Sequence, residues 1–167
     1  TGDFNVAIGD SSLGAATTAD GNTAVGSAAA NSTTTGANNT AVGLEALRLN
    51  TTGANNTVVG KDAGKQITTG NRNAIVGSLA GDALTDADDN VAMGASALTA
   101  DTLGSRSVAI GKETLAAQNF TSATNTYNTA VGAFAGNAVT TGVQNTFIGG
   151  LVGDATTTGD NNTSVGY

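Results

Sequence analysis

The chain has 167 residues, 6 basic and 13 acidic side chains for a net charge of −7, and no His, Cys, Pro or Trp. Without His and Cys there is no Ser-His-Asp or Cys-His catalysis and little transition-metal chemistry. Few Lys and Arg disfavour nucleic acid, which needs clustered cations to replace counterions, and no apolar run approaches the roughly 20 residues that span a bilayer.

From the first residues onward the chain repeats itself. Close copies of Ser107-Val108-Ala109-Ile110-Gly111 begin at Asn5, Asn22, Asn39, Asn56, Asn73, Asn90, Ser107, Asn128, Asn145 and Asn162. Eight of the nine intervals are 17 residues and the ninth is 21. A period this strict predicts a stack in which each repeat touches mainly its neighbours. The expected organisation is one array over 1–167, about ten coils, with a four-residue insertion between 115 and 128. Both ends fall in phase with the repeat and no signal peptide or initiator Met is present, so the expectation is a segment of a longer chain.

Counting the leading Asn as position zero, position three is aliphatic or Met in every copy: Ile8, Val25, Val42, Val59, Val76, Met93, Ile110, Val131, Ile148 and Val165. Position one is Val, Thr or Ala, and positions one and three share a strand face. This predicts a short β-strand with position three as the core column, stacked in parallel with its copies. Position two reads Ala, Val, Ile, Phe or Ser and never carries charge. Its members Ala41, Val58, Ile75, Ala109 and Phe147 are therefore expected to form an inter-chain face.

Position four is Gly throughout, which suits a sharp corner at positive φ. Charged pairs such as Lys61-Asp62 and Lys112-Glu113 follow, reading as a wet corner. A small column (Ala29, Ala46, Ala63, Ala80, Ala97, Ala135) and then Leu or Gly (Leu47, Gly64, Gly81, Leu98, Leu115, Gly136) predict a second, shorter inward-facing strand. Leu against Gly on adjacent coils lets one side chain fill its neighbour's vacancy. The coil closes through Thr-Thr-Gly, as in Thr51-Thr52-Gly53, and the leading Asn is expected to form an amide ladder.

Ser107-Val108-Ala109-Ile110-Gly111 resembles the repeat core of YadA-like head domains of trimeric autotransporter adhesins. The Asn-Thr-Ala-Val-Gly and Thr-Thr-Gly-Ala-Asn-Asn forms are similar to repeats in bacteriophage tail fibres. The resemblance covers the whole chain and implies a left-handed parallel β-roll, three of which pack side by side. The family's usual repeat is shorter than the 17 residues found here, and the extra residues fall in the Thr-Gly closing segment. The expected fold is an all-β, parallel β-solenoid of 17-residue coils, trimeric.

Two places break the pattern. Asp82, Asp86, Asp88 and Asp89 form an acidic cluster that is a weak candidate for a cation such as Ca²⁺, although no EF-hand spacing is present. The insertion carries Phe120 and Tyr127, a candidate sugar-stacking loop or, alternatively, rings filling the gap that the longer loop opens. No cofactor and no catalytic constellation is expected. The functional expectation is a non-enzymatic fibre segment, extracellular, on a cell surface or virion. It would be a rigid spacer whose partners are its own copies in a homotrimer and a host-surface glycan or protein. The alternatives are an ice-binding solenoid, suggested by the Thr columns, and the subunit of an extracellular filament.

Overall fold

The computed structural model describes residues 2–167 and holds no helix among them. The strands are β1 (Val6–Ile8), β2 (Thr23–Val25), β3 (Thr40–Val42), β4 (Thr57–Val59), β5 (Ala74–Val76), β6 (Val91–Met93), β7 (Gly104–Ser105), β8 (Val108–Ile110), β9 (Thr124–Asn125), β10 (Thr129–Val131), β11 (Thr146–Ile148) and β12 (Thr163–Val165). All but β7 and β9 join one ten-stranded sheet, parallel and in sequence order. Thr40 lies beside Thr57 and Val42 beside Val59, one period apart. The fold is a parallel β-solenoid of about nine coils, as the 17-residue period predicts.

The phase of the strands is the reverse of the expected one. Position two points into the coil: Ala24, Ala41, Val58, Ile75, Ala92, Ala109 and Ala130 are fully buried, and Phe147 is 1% exposed. The expected core column points out. Ile8, Val76, Met93, Ile110, Ile148 and Val165 are 36 to 73% exposed, and Val25, Val42, Val59 and Val131 are half-buried. Ala41, Val58, Ile75, Ala109 and Phe147 are thus the core of one chain and not a face between chains. The coil interior is narrow, so the strand can offer it only what the opposite wall leaves room for.

That wall is built from positions seven, eight and eleven. Where position eight is Leu (Leu47, Leu98, Leu115), position two is Ala; where it is Gly, position two is Val, Ile or Phe in three coils (Gly64, Gly81, Gly153) and Ala130 in the fourth, that of Gly136. A Cβ added at Gly81 would meet Leu84 Cδ1 at 2.9 Å and Ile75 Cδ1 at 3.0 Å, and one at Gly136 would meet Leu115 and Phe147, each at 2.9 Å. Glycine is there because its neighbours occupy the space that a side chain would need. Such filling without voids is what close packing demands. The vacancies are filled mostly within the same coil, and only in part from an adjacent one, as Phe147 does for Gly136.

The expected second strand is a run of turns. Residues at positions six and eight take left-handed φ, as in Glu45 (54°), Leu47 (54°), Ser96 (54°) and Leu98 (55°). A strand would send consecutive side chains to opposite faces. The left-handed residues let positions seven and eight, such as Ala46 and Leu47, both face inward. Non-glycine residues tolerate this strain because successive coils hold the same backbone: Ala30 N–H donates to the Ala46 carbonyl and Leu47 N–H to Ala63.

The leading Asn forms the expected ladder and also closes each coil. Asn56 Nδ2 donates to the Gly70 carbonyl at 2.8 Å across its own coil, while Asn56 N–H donates to Asn39 Oδ1 at 2.9 Å. The pattern repeats at Asn39, Asn73, Asn90 and Asn145, all but fully buried. Thr34, Thr51, Thr68 and Thr85 donate their hydroxyls to the next coil's backbone, so the closing segment carries a second ladder.

Candidate functional site

Two surfaces stand out. The first is the outer face of the large sheet, positions one and three of every strand. Its residues are Thr, Val, Ile, Ala and Met only, with no charge on any of the ten strands. Leu44, Leu79 and Leu151, at the neighbouring glycine corner, are also exposed. Alternation in a three-residue strand fixes this outcome: once Asn at zero and the small residue at two fill the interior, one and three must face away.

The second is the coil that carries the insertion. Ser107 stands where the other copies have Asn, and the ladder is patched there by other residues. Ser107 N–H still donates to Asn90 Oδ1 at 2.9 Å, but its hydroxyl is bonded to Thr126 Oγ1 at 2.6 Å and accepts from Gln118 Nε2 at 2.8 Å. Gln118 Oε1 in turn accepts from Asn128 Nδ2 at 2.8 Å. Asp101 sits fully buried beside this network. Its carboxylate accepts from Gln118 Nε2 at 2.6 Å and from the backbone N–H groups of Gly104 and Phe120 at 3.0 Å each. Burial pushes the Asp101 carboxyl above its ordinary value, against these bonds, which pull it down. Asp101 and Gln118 are not evident as a pair from the repeat, although both occupy position eleven, an interior column whose other buried members are Thr33, Asn50, Ile67, Leu84 and Val139.

The insertion resolves the fate of its two rings differently. Phe120 is 7% exposed and fills the space beneath the longer loop. Tyr127 is 49% exposed and rejoins the regular column just before the leading Asn. The sequence pairs them; the structure separates them. β7 and β9 pair on this side of the rod, with Thr121, Ser122 and Ala123 exposed between Phe120 and β9.

The acidic cluster is likewise dispersed. Asp82 accepts from Thr99, Asp86 from Thr69, Asp88 from Asn71 and Arg72, and Asp89 from Arg72. Among the described residues no three His, Cys, Asp or Glu side chains converge to hold a metal. Arg72 at 2.6 Å, helped by the charge of Arg106, holds the Asp89 carboxyl below its ordinary value. A second charged group lies at the corners of two adjacent coils. There Lys65 contacts Glu45 at 2.6 Å and Asp62 at 3.3 Å, and the hydrogen bonds to both carboxylates raise its ammonium above the ordinary value. A cavity of about 290 Å³ at the last two coils is lined by Leu151, Val152, Ser164 and Tyr167, with Asp154 its one charged side chain. Nothing in it pairs a nucleophile with a base.

The class that fold and surfaces define is a parallel β-solenoid with a charge-free outer sheet face. Comparison with family models, curated proteins and solved structures finds no match to this chain. No helix of the described residues is long and apolar enough to cross a membrane.

Proposed function

We propose that the chain is a segment of a non-enzymatic fibre, a phage tail fibre or bacterial surface adhesin, serving as an extracellular rigid spacer that associates as a homotrimer. The observation that carries this reading is the outer face of the sheet. Ten strands at about 4.8 Å spacing make a stripe roughly 45 Å long and two side chains wide. That is on the order of 300 to 450 Å², within the range of the largest patch on a typical monomer, a patch that is often functional. The stripe is continuous, unlike the scattered apolar residues of ordinary surfaces. One such stripe per chain suits closed rotational packing in which every copy uses the same face, and three-fold closure follows the YadA-like resemblance. The contact residues are then Val42, Val59, Val76, Ile110 and Ile148, the outward column.

Sedimentation of the wild-type chain and of Val42→Glu/Ile110→Lys tests this. The expected result is a trimer that the double substitution converts to a folded monomer with unchanged far-ultraviolet dichroism. A wild-type chain that sediments as a stable monomer overturns it.

One observation favours a second reading. The same face presents Thr23, Thr40 and Thr57 beside Val25, Val42 and Val59 on a regular sheet, a hydroxyl-methyl array able to order water as an ice-binding surface does. Thermal hysteresis of the monomeric fraction separates the two: a measurable freezing-point gap supports ice binding, and its absence leaves the chain-covered face.

A further inference from the structure

We propose that Tyr127 and the residues flanking it on its column form a subsite for a neutral oligosaccharide laid along the rod. This rests on reading the rod as a surface-exposed fibre, and it uses a column outside the outward strand face. The chain has four Phe and two Tyr. Of these Phe4, Tyr127 and Tyr167 are exposed, and Tyr127 alone lies inside the array and not in an end coil.

The column before the leading Asn runs Asn55, Arg72, Asp89, Arg106, Tyr127, Gln144, one residue per coil. Each takes left-handed φ, between 51° and 66°, which places these side chains on the same outer edge. Arg106 reaches the tyrosine from its hydroxyl end. Its Nη1 donates to the phenol oxygen at 2.6 Å while Cζ lies over the ring, 5.6 Å from its centre, so the guanidinium fixes the ring from one side while the residue stays 49% exposed. Asp89 Oδ2 is 3.8 Å from Arg106 Nε, and Asp89 takes two bonds from Arg72, at 2.6 and 3.2 Å. With Asp88 against Arg72 at 3.3 Å, two guanidinium groups face two carboxylates and the row carries no net charge. Gln144 has no side-chain hydrogen bond among the described residues and sits one coil beyond the ring.

A pyranose has an apolar C–H face that stacks on an aromatic ring and a rim of hydroxyls that planar polar side chains hold in pairs. Here an aromatic ring is flanked on one line by a guanidinium and a free amide, at intervals of about 4.8 Å, one coil rise. That spacing matches successive residues of a chain better than one sugar. The site is also rigid before anything binds. The buried Asp101 ties Gly104 of β7 and Phe120 at the start of the insertion together, so the loop beside Tyr127 is fixed from below. Rigid sites lose less entropy on binding. Charge balance selects neutral sugars, because an anionic glycan would have to displace Asp88 and Asp89 from their arginines.

The chain contains no Trp, so in a Tyr167→Phe background its near-ultraviolet-excited emission reports on Tyr127 alone. Hexasaccharides of glucose, mannose, galactose and N-acetylglucosamine are titrated, with a sialylated oligosaccharide and a heparin fragment as anionic probes. The expected result is a saturable change in Tyr127 emission with at least one neutral hexasaccharide, weakened about tenfold by Gln144→Ala or Arg106→Ala. Tyr127→Ala should abolish retention on the same sugar in affinity electrophoresis while sedimentation stays as in the parent chain. A response to none of the neutral sugars, or only to the anionic probes, overturns the proposal. So does a Tyr127→Ala chain whose oligomeric state changes, since the ring would then belong to a contact between copies. Failure of the trimer reading itself appears separately, in the sedimentation of the parent chain.

Discussion

Ala41 and Val42 are neighbours on β3, yet Ala41 is wholly enclosed and Val42 stands half in solvent. Along the ten strands the inner column varies from Ala to Phe, while the outer column is nearly uniform Val, Ile and Met. The inner residues are chosen coil by coil against whatever faces them across a narrow interior. The outer residues have no opposite wall to match and keep nearly the same size from coil to coil. Variation with a matching change elsewhere marks the core here, and uniformity marks the surface.

The sharpest way to break this comparison is to put the same charge on both faces. Ala41→Asp buries an unpaired carboxylate and should cost several kcal/mol, enough to prevent folding. Val42→Asp, one residue on, should leave the coil folded and shift the melting of the monomer by about 1 kcal/mol or less, while removing self-association. Circular dichroism with sedimentation on both variants decides it; a reversed order of damage would restore position three as the core.

The volume match is tested next. Gly81→Leu should cost about 1 to 3 kcal/mol by overpacking against Leu84 and Ile75. Adding Ile75→Ala should recover a large part of that loss, because Ala with Leu is the combination found at Ala41 and Leu47. Strict additivity of the two in urea melts would show that they do not share a space.

The ladder is expected to be weaker than the packing. Asn56→Ala deprives Asn73 N–H of its acceptor and the Gly70 carbonyl of its donor, at about 1 to 3 kcal/mol. Asn56→Ser should cost nearly as much, since Ser107 is supported by Gln118 and Thr126 and coil four lacks both. A Ser that restored full melting temperature would mean the amide is dispensable.

The smallest effects are those of pH. Asp101 has a raised carboxyl, so the folded state holds its proton better than the unfolded chain. The stability it contributes is present below the unfolded value near 3.9 and is lost as pH rises through the folded one. Asp89 runs the other way: its contribution is present above about 3.9 and is lost as pH falls through the depressed value. The difference between wild-type and Asp101→Asn melting curves from pH 7 to 3 should therefore narrow toward neutrality, and that for Asp89→Asn toward acid. Asp89 is partly exposed, with a third of its side chain in solvent that screens its ion pair, so its curve should move the less.

Much of the fold was legible. The 17-residue period, the parallel register, the Gly corner and the Asn ladder all follow from recurrence, because a stack repeats its contacts when it repeats its residues. The strand's phase was legible too, but in a different signal from aliphatic size. Leu47, Gly64, Gly81 and Leu98 exchange volume with Ala41, Val58, Ile75 and Ala92, and buried Asn at position zero shares its face with position two. The turns at positions six and eight were not legible, because Glu45, Leu47 and Ser96 show no composition bias toward left-handed φ. Nor was the split between Phe120 and Tyr127, which depends on where the chain regains register after the insertion.

The coil-to-coil bonds have a mechanical consequence. Thr40 to Asn56, Leu47 to Ala63, Leu49 to Lys65, Thr51 to Thr68 and Val42 to Gly60 all join adjacent coils and lie along the rod. Tension applied to the two ends loads every bond of a junction at once, with no zipper for force to open one link at a time. Bending, by contrast, stretches one wall and compresses the opposite one, and the Asn cross-tie to Gly53 or Gly70 resists flattening of the section. Such a shaft is stiffest where the ladder is unbroken. Under load it should yield first beside Ser107, where a shared network of Gln118, Thr126 and Asp101 replaces the regular tie.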